Sequence, residues 1–461
     1  MHINNTFLNA NHPKSILRQL KSADGLPFKQ VLSPEMIAKN IGNYNFRDRI
    51  FSPDITLWGL LSQVLSDDQS CQAAVARLMA FFASHGKTVP SANTAAYSKA
   101  RSRLPEEIIS NLSIESAEQL EGNIPSNWLW RAKHIKLIDG STLFMPDTSA
   151  NQAIYPQSKN QKPGLGFPIA RIVSIISYAT GAVLNLAISG CFGKGAGEHA
   201  LLRQLMDSFK PGDIALGDCY YASFFLIAAL MKLGVDVVFP IHSARSHDFR
   251  KGNRLGKKDH IVEWHKPQKP KWMSQAEYKS FPDNILIREV EIQDERKGFR
   301  SRSRVIVTTF LNSNDVSKHN LKNIYDRRWC VELDLRSIKD TMRMGILRGK
   351  TPWMVRKEIW AHILAYNLIR KIMMQAAHIH NKNPRELSFK LALRVIEAFR
   401  QIGMLSETKN EIYMLLLKTI AYTYKKVGNR VQRHEPRRLK RRPKNYPLLL
   451  KPRSHYHQEV A

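Results

Sequence analysis

The sequence predicts an α/β fold: a mixed sheet covered by helices on both faces, with helical regions before and after it. Three observations predict it. Up to about residue 121 the apolar residues recur at helical spacing, as in WGLLSQVL and CQAAVARLMAFFA. From about Trp128 the texture changes to short β-rich runs that alternate with helical ones. Beyond residue 351 helical patterns return in TPWMVRKEIWAHILAYNLIRKIMM, SFKLALRVIEAFRQIG and EIYMLLLKTIAYTY. A period near 3.6 marks an amphipathic helix, and a short β-branched run bounded by turn residues marks a strand.

In chain order, SANTAAYSKARSRLP reads as a helix capped by Ser91 or Asn93 and stopped near Pro105. Its end carries Lys99, Arg101 and Arg103. That end fits contact with phosphates, and it equally fits a solvated helix terminus. HIKLIDGS reads as a strand that ends at the carboxylate of Asp139. RIVSIISYAT and AVLNLAISG follow as a hairpin joined at Thr180-Gly181. HALLRQLMDSF is a helix, and DIALGDCY is a strand that ends at Asp218. FFLIAALMKLG is a buried helix closed by Gly234, and DVVFPIH is a strand. The order β-β-β-α-β-α-β is that of a ribonuclease-H-like core.

Residues 243–302 interrupt this order with segments rich in Lys, Arg, Pro, Gly and aromatic residues, such as HDFRKGNRLGKKDH and EWHKPQKPKW. ILIREVEI alternates like a strand and SRVIVTTF follows it. The segment therefore reads as a β-rich insertion. Trp264 and Trp272, set among basic residues, suit either stacking on unpaired bases or closing a small β core. The expected organisation is a helical region over residues 1–121, a catalytic core over 122–350 that holds the insertion, a helical region over 351–424, and a basic tail over 425–461.

Hydrophobic residues make up 43% of the 461, which favours a globular chain over a disordered one. Seventy Lys and Arg against 39 Asp and Glu leave a formal charge of +31. Such a field attracts polyanions, so nucleic acid is the leading partner. No apolar run reaches the ~20 residues of a membrane span. The four cysteines are far apart, with no zinc-ligand spacing, which fits a reducing compartment and an expected cytoplasmic location.

The segment Tyr325–Lys339, YDRRWCVELDLRSIK, is the most informative in the chain. On one α-helix, Tyr325, Arg328, Glu332 and Lys339 fall at roughly 0°, −60°, −20° and −40°, within one narrow arc. Val331, Leu335, Ile338 and Met342 form an apolar stripe beside it. One carboxylate among cationic and hydrogen-bonding groups suits a metal ion and phosphates together; an Arg328–Glu332 pair on a solvated face is the plainer reading.

The spacing Y-x2-R-x3-E-x6-K resembles the signature of bacterial insertion-sequence transposases with a DDE catalytic core. The resemblance spans about residues 91–351 and is strongest at this helix and at LGDCYYAS. It implies two further carboxylates upstream, each just after a buried strand, and Asp139 and Asp218 meet that requirement. Asp213 precedes its strand and Asp147 follows Pro146 in a loop, so neither competes.

By resemblance, Asp139, Asp218 and Glu332 are the catalytic, metal-binding triad. Tyr325, Arg328 and Lys339 contact DNA near the cleaved end, with Arg101, Arg103, Trp264 and Trp272 as further candidate DNA contacts. Hard oxygen ligands favour Mg²⁺, with Mn²⁺ as a substitute. The implied function is a DNA transposase that cuts the terminal inverted repeats of an insertion sequence and joins them to target DNA by cut-and-paste. The implied setting is a dimer in the synaptic complex, associated with a bacterial nucleoid. Two other readings share the fold: an inactive DNA-binding copy that competes for ends, and a metal-dependent nuclease without strand transfer.

Overall fold

The computed structural model describes residues 28, 31–42, 44–47, 49–193, 195–294, 302–403, 409–423, 451 and 455. The basic tail expected over residues 425–461 lies outside the described residues, apart from two positions. The chain forms two compact units. One comprises Met1–Ile124, Ala182–Leu184 and Arg336–Lys425; the other comprises Pro125–Gly181, Asn185–Leu335 and Lys426–Ala461.

The first unit is helical. Its helices are α1 (Pro34–Ile41), α2 (Pro53–Leu65), α3 (Cys71–Ser84), α4 (Ala95–Arg103) and α5 (Glu106–Gly122). Serine caps start two of them: Ser33 accepts the Met36 N–H at 3.2 Å and Ser70 accepts the Ala73 N–H at 3.0 Å. Helix α4 begins after Thr94, while the Asn93 side chain takes the Ala95 N–H at 2.8 Å. It stops at Leu104 because Pro105 cannot continue it.

The 28 residues of Pro352–Ile379 form the longest helix of this unit. It is buried on nearly every side, as a helix with apolar residues all round must be. Its one buried asparagine is satisfied: Asn367 accepts the Val183 N–H at 2.9 Å and donates to the carbonyls of Val183 and Ser113 at 2.9 and 3.2 Å. Phe389–Gly403 and Lys409–Ala421 are the last two helices. Among the described residues, no helix is long and apolar enough to cross a membrane.

The second unit is built on one nine-stranded sheet with the order β3-β2-β1-β4-β5-β9-β8-β7-β6. The first five strands are β1 (Ile135–Phe144), β2 (Ile169–Ser177), β3 (Val183–Gly190, whose first two residues belong to the helical unit), β4 (Ile214–Leu216) and β5 (Asp236–Pro240). Strand β1 pairs antiparallel with β2 and parallel with β4, and β4 pairs parallel with β5. This is the mixed sheet that the element order predicts. The parallel neighbours are linked through Glu198–Arg203 and Phe224–Lys232, which we number α7 and α8 after the short α6 (Ser149–Ile154). Gly234, at φ +71°, closes α8 as expected.

The insertion extends the same sheet. It supplies β6 (Asn253–Gly256), β7 (Asp259–His265), β8 (Asn284–Asp294) and β9 (Arg302–Thr308), with a short helix α9 (Gln275–Lys279) between β7 and β8. Residues 295–301 lie outside the described residues. Strand β9 pairs antiparallel with β5 through Val238↔Thr308, Phe239↔Val307 and Pro240↔Ile306. The insertion is thus hydrogen-bonded into the core sheet. Its interior is organised by a buried ion pair: Arg288, fully buried, donates to both oxygens of Asp259 at 2.8 and 2.6 Å and to the Val316 carbonyl at 2.6 Å.

Candidate active site

Strand β1 does not end at Asp139, as its turn-like Gly-Ser-Thr sequel implies, but continues for five residues to Phe144. The reason lies in its two neighbours. On the β2 side the ladder runs without a break from Lys136 to Phe144. On the β4 side it stops at Leu137↔Leu216. Continued in register, that parallel pairing sets Ile138 beside Gly217 and Asp139 beside Asp218. The two aspartates therefore flank the cleft that opens where β4 leaves the sheet, the place where parallel sheets offer their sites.

Asp218 is fixed as a cap. Its Oδ1 accepts the Tyr220 N–H at 2.8 Å and so starts the tight turn Cys219–Tyr221. Asp139 accepts the N–H of Gly140 at 2.8 Å. Burial pushes the Asp139 carboxyl up to about 6; the Gly140 bond opposes this, the charges of Asp218 and Glu198 reinforce it, and Arg328 opposes it. Carboxylates that repel each other in a half-buried place suit a divalent cation, which would remove the repulsion.

Asp213 and Asp147 take the structural parts expected of them. Asp213 forms a buried ion pair at 2.6 Å with Lys136, at the start of β1 and three residues before Asp139. Asp147 accepts from Gln152 at 2.8 Å in a loop.

The single helix expected over Tyr325–Lys339 is divided. Tyr325 lies in α10 (Lys318–Asp326), Arg328 in a turn, Glu332 in α11 (Trp329–Arg336), and Lys339 in a π turn over Ser337–Thr341. The break tightens the winding: the N–H groups of Arg328 and Val331 reach back three residues, to Tyr325 and Arg328, at 2.9 and 3.1 Å. In the π turn the Met342 N–H reaches back five residues to Ser337. A uniform step of about 100° per residue therefore does not carry through to Lys339. The apolar stripe is buried as expected, with Val331, Leu335, Ile338 and Met342 all in the core.

Arg328 donates to Glu332 at 2.6 Å, and Tyr325 is buried with its hydroxyl accepting from Arg304 at 3.1 Å. Arg328 keeps its charge against burial because Glu332 accepts its hydrogen bond and because Tyr325 and Asp139 attract it. Among the described residues, no three His, Cys, Asp or Glu side chains converge closely enough to hold one metal ion. The charge of Asp218 acts on Asp139, while Glu332 is held by Arg328.

Trp264 is a correction to the base-stacking expectation. It is 3% exposed, its indole N–H donates to Glu289 at 2.9 Å, and the Arg245 guanidinium lies 3.7 Å from its ring centre. A ring enclosed this way has no face for a base; it closes the β core of the insertion. Trp272 is 46% exposed, with Arg203 3.7 Å from its ring centre. In the helical unit, Arg101 is half-buried and donates to Gln63 at 3.0 Å, while Arg103 is exposed. Arg103 shares a cavity of about 570 Å³ with Arg47, Arg49, Tyr44 and Phe46.

Sequence reading missed two residues around the aspartates and one beside Tyr325. Glu198 starts α7 and accepts from Tyr221 at 3.1 Å. His199 shares a hydrogen bond with the Tyr220 carbonyl at 2.6 Å, and burial lowers its pKa. Arg304 is the third, beside Tyr325. The one sequence signal for Glu198 is Gly140, directly after Asp139, because a glycine inside a strand marks a close approach by another group.

The mixed sheet, with β1 parallel to β4 and β4 to β5 and helices between them, is that of a ribonuclease-H-like core. The chain belongs to the transposase DDE domain family, whose model matches residues 130–368. It is also similar to the transposase InsG for insertion sequence element IS4 of Escherichia coli (strain K12), at 25% identity over 428 residues, 91% of this chain and 93% of that protein. The chain is therefore a DDE-type DNA transposase, an enzyme that acts on DNA in a family that uses divalent metal ions.

Proposed function

We propose that this transposase cuts the terminal inverted repeats of an insertion sequence and joins the freed 3′-hydroxyls to target DNA by cut-and-paste. In this reading Asp139, Asp218 and Glu332 hold Mg²⁺, for which Mn²⁺ substitutes. Bound divalent ions would activate water or a 3′-hydroxyl and stabilise the leaving oxygen of an in-line displacement. The observation that carries the reading is the charge of Asp218 acting on Asp139 just past the last β1–β4 pair, Leu137↔Leu216, with Arg328 acting on both Asp139 and Glu332.

The chain's own residues do the positioning. Arg328 offers a planar fork for a phosphate of the DNA end, and Lys339 offers a point charge. Tyr325 and its neighbour Arg304 add a hydroxyl and a second cation. Arg103 and the exposed Trp272 are further contacts in this proposal, with Arg101 supporting Arg103 from within its helix. Two ends must be cut together, which requires a synaptic dimer.

The test is cleavage and joining of a donor DNA that carries the element's own ends. Joined product that needs Mg²⁺ or Mn²⁺ and is absent from Asp139→Ala and Glu332→Ala, with end binding kept, is the expected result. Hydrolysis without joining would instead identify a nuclease, and unimpaired cleavage by Glu332→Ala would remove that residue from the mechanism. Binding without cleavage by the wild type would identify an inactive copy.

A further inference from the structure

Glu198 sits where the sheet has been cleared for it. A Cβ built on Gly140 would lie 2.6 Å from the Glu198 carboxyl carbon and 2.8 and 2.9 Å from its two oxygens. The carboxylate thus rests against strand β1 one residue past Asp139, in space that only glycine leaves open. It is held from the other side by the Tyr221 hydroxyl at 3.1 Å. The backbone leading to it is tied by Arg171, whose guanidinium donates to the Ala196 carbonyl at 3.0 Å, and His199 ties the next residue to the Tyr220 carbonyl. Both Tyr220 and Tyr221 belong to the turn that Asp218 caps.

One carboxylate is therefore braced between strand β1 at Gly140 and the Tyr221 hydroxyl of the turn that Asp218 caps. It is also among the charges that act on Asp139. Tyr221 uses only part of the acceptor capacity of a carboxylate, which leaves oxygen lone pairs for a hydrated cation.

We propose that Glu198 is a positioning residue of the active site: it orients Tyr221 and Gly140 around the Asp139–Asp218 pair and supplies the third negative charge that draws a divalent cation to that pair. The proposal rests on the reading of Asp139 and Asp218 as metal ligands. Outer carboxylates that orient ligands typically change metal affinity by 10–100-fold when removed.

The experiment is Mn²⁺ titration of the full chain, followed by calorimetry and by Mn²⁺ electron paramagnetic resonance, with wild type, Glu198→Gln, Gly140→Ala and Asp139→Asn. Glu198→Gln keeps an acceptor for Tyr221, so it preserves the packing and removes the charge. The expected result is roughly tenfold weaker Mn²⁺ binding in Glu198→Gln, with the Mn²⁺ concentration for half-maximal end cleavage raised to match. Gly140→Ala, which displaces the carboxylate, should show a similar loss, and Glu198→Asp a smaller one. Wild-type Mn²⁺ affinity in Glu198→Gln, alongside a loss in Asp139→Asn, would overturn this proposal alone. Wild-type affinity in Asp139→Asn would overturn the ligand assignment on which it rests.

Discussion

Arg328 and Glu332 are each other's partner: the guanidinium Nη2 lies 2.6 Å from the Glu332 carboxylate, across one turn at the start of α11. The group best shaped to grip a phosphate thus holds the group proposed to complete the metal site. Side-chain exposures of 17% and 34% place the pair between surface and core, so solvent screens it in part.

Arg328→Gln should therefore act in two directions. Release of Glu332 should strengthen Mn²⁺ binding without DNA by roughly threefold, a modest effect in keeping with a half-screened charged hydrogen bond. Loss of the guanidinium should weaken binding to the element's ends. Calorimetry for the metal and a shift assay for the DNA would read the two effects separately. Unchanged Mn²⁺ affinity would mean that the ion pair does not restrain Glu332.

Lys339→Ala should reduce the salt dependence of end binding by about one phosphate contact, a change of ~0.9 in the slope of log K against log salt. The measurement is end binding across a salt series. An unchanged slope would place Lys339 away from the DNA, which the interruption of the α-helix by the π turn makes a pointed question.

The two insertion tryptophans should part company. Trp264→Ala should destabilise the protein by about 3–5 kcal/mol, because it empties a core position and leaves Glu289 without its indole donor. Trp272→Ala should leave stability within about 1 kcal/mol and weaken DNA binding, since the ring is half exposed. Denaturant unfolding and binding of both variants would check this. Equal stability losses would make Trp272 a core residue as well.

His362 should make the helical unit sensitive to acid. It is fully buried, and desolvation lowers its pKa from 6.5 to about 4. Its Nε2 faces Gln69 at 3.2 Å and its Nδ1 faces the Glu358 carbonyl at 2.8 Å, so the neutral ring with a proton on Nδ1 satisfies both. The unfolded chain binds the proton more readily than the native one. The stability contributed by neutral His362 is thus intact above about pH 6.5 and is lost as pH falls toward 4, by about 2–3 kcal/mol. Glu358, raised to about 7 by burial, and Asp139 titrate with the opposite sign. Chemical denaturation of wild type and His362→Gln at pH 7 and 4.5 would isolate the histidine. A stability difference that does not change with pH would show that folding does not lower the pKa of His362.

Much of the fold was legible because its signals are local. The succession of strands and helices, the glycine that closes α8 and the proline that stops α4 each act through a few neighbouring residues. The two aspartates stood out in the sequence because each closes an apolar run, IKLID and IALGD. The continuation of β1 past Asp139 did not, since Gly-Ser-Thr has turn chemistry and only the pairing with β2 overrides it. The break at Arg328 and the π turn preserve every apolar position of the stripe, so periodicity does not detect them. The position of Glu198 depends on its contact with Gly140, in a segment about 60 residues earlier, which no spacing rule encodes. Trp264 carried both of its readings in the sequence, and burial by Arg245 and Glu289 decided between them.

The pairing of β5 with β9 also sets a timetable for synthesis. Phe239 emerges from the ribosome well before its partner Val307, 68 positions later. At ribosomal elongation rates that interval is roughly 3–14 seconds. Through it the apolar run Val237, Val238 and Phe239 forms an open sheet edge, able to pair with any similar strand nearby. Only β9, Arg302–Thr308, closes that edge, so the strand order leaves the growing chain with an unpaired β5 until the whole insertion has been made.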